Sequence, residues 1–157
     1  MNHLTRKESK NLHTPQREYV NHVSVVIISK NSDNIIKSCL DSVSCFKEVI
    51  LYLNDSTDST KDIAAKYVNV KIFSGPFLGF SETKKKAISY ATNNWIFVLD
   101  SDEVVSSSLS NVLKSIVLDD SCVYSIRRFT YYKKNKIKFC GLRNERIIRV
   151  FNQKITS

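Results

Sequence analysis

Four residues, Asp100-Ser101-Asp102-Glu103, stand directly after the apolar run Trp95-Ile96-Phe97-Val98-Leu99. The run reads as a buried strand, so clustered carboxylates fall at a strand's end. Gathering acids in a partly desolvated place is costly unless positive charge neutralises them, and a hard divalent cation with phosphate oxygens is the usual solution. The cluster therefore reads as a metal and diphosphate site. A local reading competes with it: Ser101 or Asp102 starts the next helix, since small polar and acidic residues favour a first turn. A second polar run, Asn54-Asp55-Ser56-Thr57-Asp58-Ser59-Thr60, offers hydroxyls, carboxylates and an amide to a base or ribose. It is equally a turn with Asp58 or Ser59 as a helix cap.

The elements that must position these groups alternate along the chain. Val23 to Ile28 forms an apolar strand pattern, and Ile35, Ile36, Cys39, Leu40 and Val43 then recur at helical spacing behind Ser32 and Asp33 as caps. Val49 to Leu53 predicts a second strand, followed by a helix through Ile63, Ala64 and Tyr67. Val70 to Phe73 predicts a third. The loop Ser74-Gly75-Pro76-Phe77-Leu78-Gly79 leads into a helix from Ser81 to Thr92, and Trp95 to Leu99 is the fourth strand. Repeated strand-helix units imply a mostly parallel sheet. Each polar cluster follows the carboxyl end of a strand, which is where open α/β sheets bind ligands.

With 157 residues, 42% of them hydrophobic, the chain holds enough apolar material for one core and no room for two. We divide it into a polar arm at 1–22, an α/β portion at 23–120 and a basic segment at 121–157. The arm lacks the continuous apolar stretch of a signal peptide, and no run is long enough to span a bilayer. Cys39, Cys45, Cys122 and Cys140 show neither metal-ligand nor disulfide spacing, so the expected setting is a reducing cytoplasm. The net charge of +9 lies entirely after residue 122, where ten basic residues accompany the single acid Glu145. Such asymmetry predicts a polyanionic neighbour: nucleic acid, anionic lipid headgroups or a phosphorylated substrate. Tyr124, Phe129, Tyr131, Tyr132 and Phe139 interleave with Arg127, Arg128, Lys133, Lys134, Lys136 and Lys138. That pattern fits a single-stranded nucleic-acid surface or an amphipathic strand pair.

No Gly-x-Gly-x-x-Gly follows the first strand and no Walker lysine loop occurs, which disfavours dinucleotide and P-loop chemistry. A single nucleoside diphosphate bound through metal fits better. At this point the chain resembles the family 2 glycosyltransferases of the GT-A fold. Val23 to Asn31 is similar to the family's opening strand and nucleotide-side loop. Asn54 to Thr60 resembles its Asp-x-Gly-Ser-Thr-Asp-x-Thr segment, and Trp95 to Glu103 its strand ending in Asp-x-Asp. Lys84 stands where members carry a basic residue that contacts the nucleotide, with Lys85 and Lys86 adjacent. Gly141 to Phe151 resembles the segment of lipopolysaccharide-core and related cell-surface sugar transferases in which an acid precedes Arg-Leu-Phe. Arg149-Val150-Phe151 matches that ending, which makes Glu145 the acid.

The resemblance implies an α/β fold of GT-A (Rossmann-like) type, an open mostly parallel sheet flanked by helices with a short basic β-rich C-terminal segment. It implies metal-dependent, inverting transfer of a sugar from a nucleotide-sugar donor, with a UDP-sugar favoured, to a glycolipid or oligosaccharide acceptor. Asp102 and Asp100 would hold Mg²⁺ or Mn²⁺. Ser29, Asn31, Asn54, Asp55, Lys84, Asp100 and Ser101 would bind the nucleotide sugar, and Glu145 would act as base. By its residues alone Glu145 reads first as an ion-paired surface acid among Arg143, Arg146 and Arg149. The basic segment becomes a surface for a phosphorylated glycolipid or for the anionic inner leaflet, with the enzyme peripheral there, and nucleic acid is disfavoured. Two departures stand out. Members carry an acid at one or both of the positions of Leu53 and Asn54 and a Gly at Asp55, so base recognition by a carboxylate is not implied. Members also continue past the Arg-x-Phe segment, whereas Ser157 ends this chain, and a truncated member that binds nucleotide or membrane without turnover is the alternative.

Overall fold

The computed structural model describes residues 19–132, 135–136 and 145–155. Most of the N-terminal arm, Lys133, Lys134, Lys138, Phe139, Cys140, Gly141 and Arg143 lie outside the described residues. The described chain runs β1 (Val20–Ser29), α1 (Ile36–Ser42), β2 (Phe46–Asn54), α2 (Thr60–Ala64), β3 (Val70–Gly75), α3 (Phe80–Ile88), β4 (Trp95–Asp100), α4 (Ser107–Ser115), β5 (Tyr124–Arg127), β6 (Tyr131–Tyr132), β7 (Asn135–Lys136) and β8 (Arg146–Asn152).

Six strands form one sheet in the order β3-β2-β1-β4-β8-β5. The first four are parallel, while β8 runs antiparallel to both β4 and β5. This is the open, mostly parallel sheet that the strand-helix alternation predicts. β1, β2 and β4 are apolar on both faces because both faces are covered. On one face Val23, Val25, Ile27, Val49, Leu51, Phe97 and Leu99 pack with Ile36, Cys39 and Leu40 of α1 and Leu113 of α4. On the other, Val26, Ile50, Tyr52, Ile96 and Val98 meet Ala87 of α3.

The chain builds outward from β1 through β2 to β3, then returns to place β4 on the other side of β1. That reversal opens a crevice at the carboxyl ends of β1 and β4, the usual ligand position in such sheets. The residues after β1 and β4 therefore face one another by topology.

Several local expectations change. α1 begins at Ile36 with no side-chain cap, because the Ser32 carbonyl accepts from the Ile35 and Ile36 N–H groups while Asp58 takes the Asp33 N–H (2.9 Å). α3 stops at Ile88 rather than Thr92. The buried Glu48 carboxylate binds the Thr92 N–H (2.8 Å) and hydroxyl, and the Tyr90 ring stacks on Phe73 with centroids 3.8 Å apart. α4 is capped by Ser106, whose hydroxyl accepts from the Leu109 N–H, so Ser101 and Asp102 are not its cap.

Candidate active site

Loops after β1, β2 and β4 are knitted together by short polar side chains. Asn31 and Asp55 both adopt left-handed backbone, at φ 48° and 51°, a region that Asn and Asp tolerate better than other non-glycine residues. The family's Gly at the position of Asp55 has the same conformational explanation. From this turn the Asn31 side chain accepts from the Thr57 N–H (2.9 Å), and the Asn31 N–H donates to Ser56 Oγ (3.1 Å). The Ser32 N–H donates to Thr60 Oγ1 (2.8 Å), and the Ser32 hydroxyl lies 3.2 Å from that of Ser101. Asp58 accepts from the Thr60 N–H as well as from Asp33 (3.1 and 2.9 Å); it acts in this cross-link and not through a Ser59 cap.

The expected donor residues fall along this edge. Ser29 is buried at the end of β1, and its hydroxyl has no partner among the described residues. Asn54 is buried at the end of β2. Asp55 is exposed and accepts from the Phe77 N–H (3.3 Å), joining the β2 and β3 loops. Leu53, where family members can carry an acid, is buried in the core. Lys84 is half-buried on α3; Lys85 pairs with Glu82 (3.0 Å) and Lys86 lies over the Tyr90 ring, whereas Lys84 makes no ion pair among the described residues.

The acid cluster is organised by arginines to which the sequence pattern gives no role. Arg149 is buried and donates to Asp100 Oδ2 (2.7 Å) and Glu103 Oε1 (2.6 Å). Arg128 lies 3.6 Å from Glu103 and donates to Glu145 Oε2 at 2.5 Å. Its backbone N–H also donates to the Glu145 carbonyl (2.9 Å). A continuous chain, Asp100–Arg149–Glu103–Arg128–Glu145, thus joins the β4 carboxylates to the expected base. Glu145 is ion-paired, and among the described residues its partner is Arg128 on the segment after β5 rather than Arg146 or Arg149. The only signals for these partners were Arg149 within Arg-x-Phe and the general excess of basic residues late in the chain.

The β4 carboxylates act on the thiol packed beside them. Burial, reinforced by the charges of Glu103, Asp102 and Asp100, pushes the Cys39 thiol up to about 12. The hydrogen bond to Glu145 raises Arg128 above its already high ordinary value. Asp102 is exposed and, like Oδ1 of Asp100, accepts no hydrogen bond among the described residues. Among those residues no three His, Cys, Asp or Glu side chains converge as a metal cage. Two carboxylates with unused oxygens nevertheless fit Mg²⁺ or Mn²⁺, since Mg²⁺ in particular commonly takes one or two carboxylates and completes its shell with substrate phosphates and water.

Residues 24–156 match the family model described as Glycosyl transferase family 2. An uncharacterised glycosyltransferase of Rickettsia typhi is 31% identical over 140 residues, covering 86% of this chain and 48% of the relative. The cholesterol galactosyltransferase of Borreliella burgdorferi is 31% identical over 125 residues, covering 74% and 35% of the two chains. The chain spans about half the length, or less, of the curated relatives it matches. Among solved structures, S. aureus TarS in complex with UDP-GlcNAc shares the fold with a TM-score of 0.51 and 25% identity, covering 57% of this chain and 29% of TarS. No helix of the described residues is long and apolar enough to cross a membrane.

Proposed function

Because this chain belongs to glycosyl transferase family 2, we propose that it transfers a sugar from a nucleoside-diphosphate donor, with UDP favoured, to a hydroxyl of a cell-surface glycolipid or oligosaccharide, with inversion and dependence on Mg²⁺ or Mn²⁺. The observation that carries this reading is the juxtaposition of Asp100 and Asp102 at the switch point with Glu145, joined through Arg149, Glu103 and Arg128. TarS bound to UDP-GlcNAc supports the choice of a UDP-sugar. The cholesterol galactosyltransferase supports a lipid hydroxyl as acceptor. The basic excess after residue 122 supports an anionic acceptor or an anionic leaflet.

In this proposal Asp102 and Asp100 would hold the cation, which would supply positive charge against that developing on the departing diphosphate. Ser29, Asn31, Asn54, Asp55 and Ser101 bind and orient the nucleotide sugar, and Lys84 adds positive charge beside the leaving group. Glu145 accepts the proton of the acceptor hydroxyl. The acceptor oxygen then bonds to the anomeric carbon as the bond to the diphosphate breaks, releasing the nucleoside diphosphate. Arg128 holds Glu145 through Oε2, which leaves Oε1 to take that proton. A second reading, nucleotide binding without turnover, is favoured by the buried Leu53 where members can carry an acid.

Thermal unfolding with UDP-sugars, with and without Mn²⁺, tests the donor site. At a hundredfold excess over Kd, ligand adds about 2.7 kcal/mol, which for a chain of this size is a rise of roughly 5–10 °C. The rise should require Mn²⁺ and vanish in Asp102→Ala. No rise with any UDP-sugar refutes the UDP reading, and binding without product formation selects the non-catalytic one. Binding to anionic liposomes no stronger than to neutral ones at low salt removes the membrane component.

A further inference from the structure

We propose that Arg149 is a positioning residue that fixes Asp100 and the turn carrying Asp102 for the donor's cation and diphosphate; this rests on the glycosyltransferase reading above. The evidence begins with strand register. β5 and β8 pair Tyr124 with Val150 and then Ser125 with Ile148, so β5 advances by one residue while β8 advances by two. Arg149 is the extra residue of a β-bulge. Bulges re-aim a side chain and concentrate beside functional sites. Here the bulged residue is an arginine, 8% exposed, on the strand flanking β4.

Its guanidinium closes a clamp on two carboxylates. One nitrogen, Nη2, reaches both Asp100 Oδ2 and Glu103 Oε1, at 2.7 and 2.6 Å. Glu103 returns to the same loop, with Oε2 accepting from the Asp100 N–H (3.1 Å) and its own N–H donating to the Asp100 carbonyl (3.0 Å). The turn from Asp100 to Glu103 is therefore tied at both ends, and Asp102 projects from a fixed loop. Asp100 is held through one carboxylate oxygen, which leaves the other for a ligand. A buried positive charge also lowers the cost of bringing three acids together, so Arg149 keeps the turn assembled before any cation arrives. Because one nitrogen serves both acids, lysine would retain the charge and could replace part of the clamp from a shorter side chain.

A double-mutant cycle tests whether Arg149 acts through Asp100. The readouts are Mn²⁺ affinity alone and UDP-GlcNAc affinity in the presence of Mn²⁺, measured calorimetrically on the full chain, with circular dichroism to verify folding. Arg149→Met should weaken both by about tenfold or more, yet by less than about threefold when added to Asp100→Asn. Arg149→Lys should fall between Met and wild type. Glu103→Gln, which removes one arm of the clamp, should weaken binding in the same direction and serves if Arg149→Met does not fold. Wild-type affinity in Arg149→Met, or in Glu103→Gln where that substitution stands in, overturns the proposal; so does an equal loss for Arg149→Met with and without Asp100→Asn. A wild-type chain that binds no nucleotide sugar with Mn²⁺ overturns the parent reading, and this one with it, before any variant is compared.

Discussion

Glu48 gives a prediction that separates the scaffold from the site. It lies in β2 towards the amino-end edge of the sheet, is 5% exposed, and gathers four donor groups from three residues. Lys71 of β3 donates at 2.7 Å, the Thr92 N–H at 2.8 Å and the Thr92 hydroxyl at 3.0 Å, and Ser24 of β1 donates a further short hydrogen bond. Glu48 thereby ties β1, β2, β3 and the approach to β4 together. Glu48→Gln keeps the shape but turns an NH₂ group towards donors. Hydrogen bonds to charged groups contribute about 1.5–3 kcal/mol each, and Lys71 counts for less because it is half in water. We therefore expect a net loss of about 2–4 kcal/mol, or roughly 4–16 °C in Tm. Burial alone would raise the Glu48 pKa, but the hydrogen bonds from Lys71, Ser24 and Thr92 outweigh it and hold it below its ordinary value of 4.5. The unfolded chain then binds the proton more readily, so this stabilisation is present above the unfolded pKa and is lost as pH falls through the folded one. In urea unfolding, the gap between wild type and Glu48→Gln should be large at about pH 7 and narrow progressively below about pH 4.5. Metal-dependent donor binding by the folded variant should stay unchanged. A gap that is constant with pH would mean that the ionised carboxylate is not the stabilising species.

Three further outcomes are expected. A Cβ on Gly75 would lie 2.2 Å from Tyr52 Oη, so Gly75→Ala should cost about 1–3 kcal/mol of stability by overpacking; Tyr52→Phe, which removes that atom at the expense of a 3.3 Å bond to the Pro76 carbonyl, should recover part of it, and strict additivity in urea unfolding would count against the contact. With its pKa pushed up to about 12 by burial and the nearby acids, the Cys39 thiol should resist iodoacetamide at mild pH while exposed Cys122 reacts, as peptide mapping would reveal. Glu145→Gln should lower kcat by about 10²–10⁴-fold with the donor KM little changed, and an equal loss in donor affinity would instead assign Glu145 to donor binding.

What was legible in the sequence was whatever is encoded by continuous burial. β1, β2 and β4 carry apolar runs because helices cover both faces, and those runs placed the polar loops at their carboxyl ends. The last strands were harder to read because they sit near the edge of the sheet, where alternation of exposed and buried residues also suits a solvated hairpin or a nucleic-acid surface. β5 shows that alternation, yet it pairs with β8 in the main sheet. Helix boundaries at Ile36 and Ile88 were misplaced because Asp58 and Glu48, distant in sequence, claim the N–H groups of Asp33 and Thr92. The arginine partners of the acid cluster were hidden for a related reason. A bulge is a property of two strands in register, so no inspection of β8 alone reveals that Arg149 is the extra residue. The local spacing of acids announces that charge must be neutralised, but which cation does so depends on strand pairing. At this site that pairing supplies Arg149 to Asp100 and Glu103 and Arg128 to Glu145, so the arginines provide part of the positive charge that the sequence pattern had led us to assign wholly to a metal.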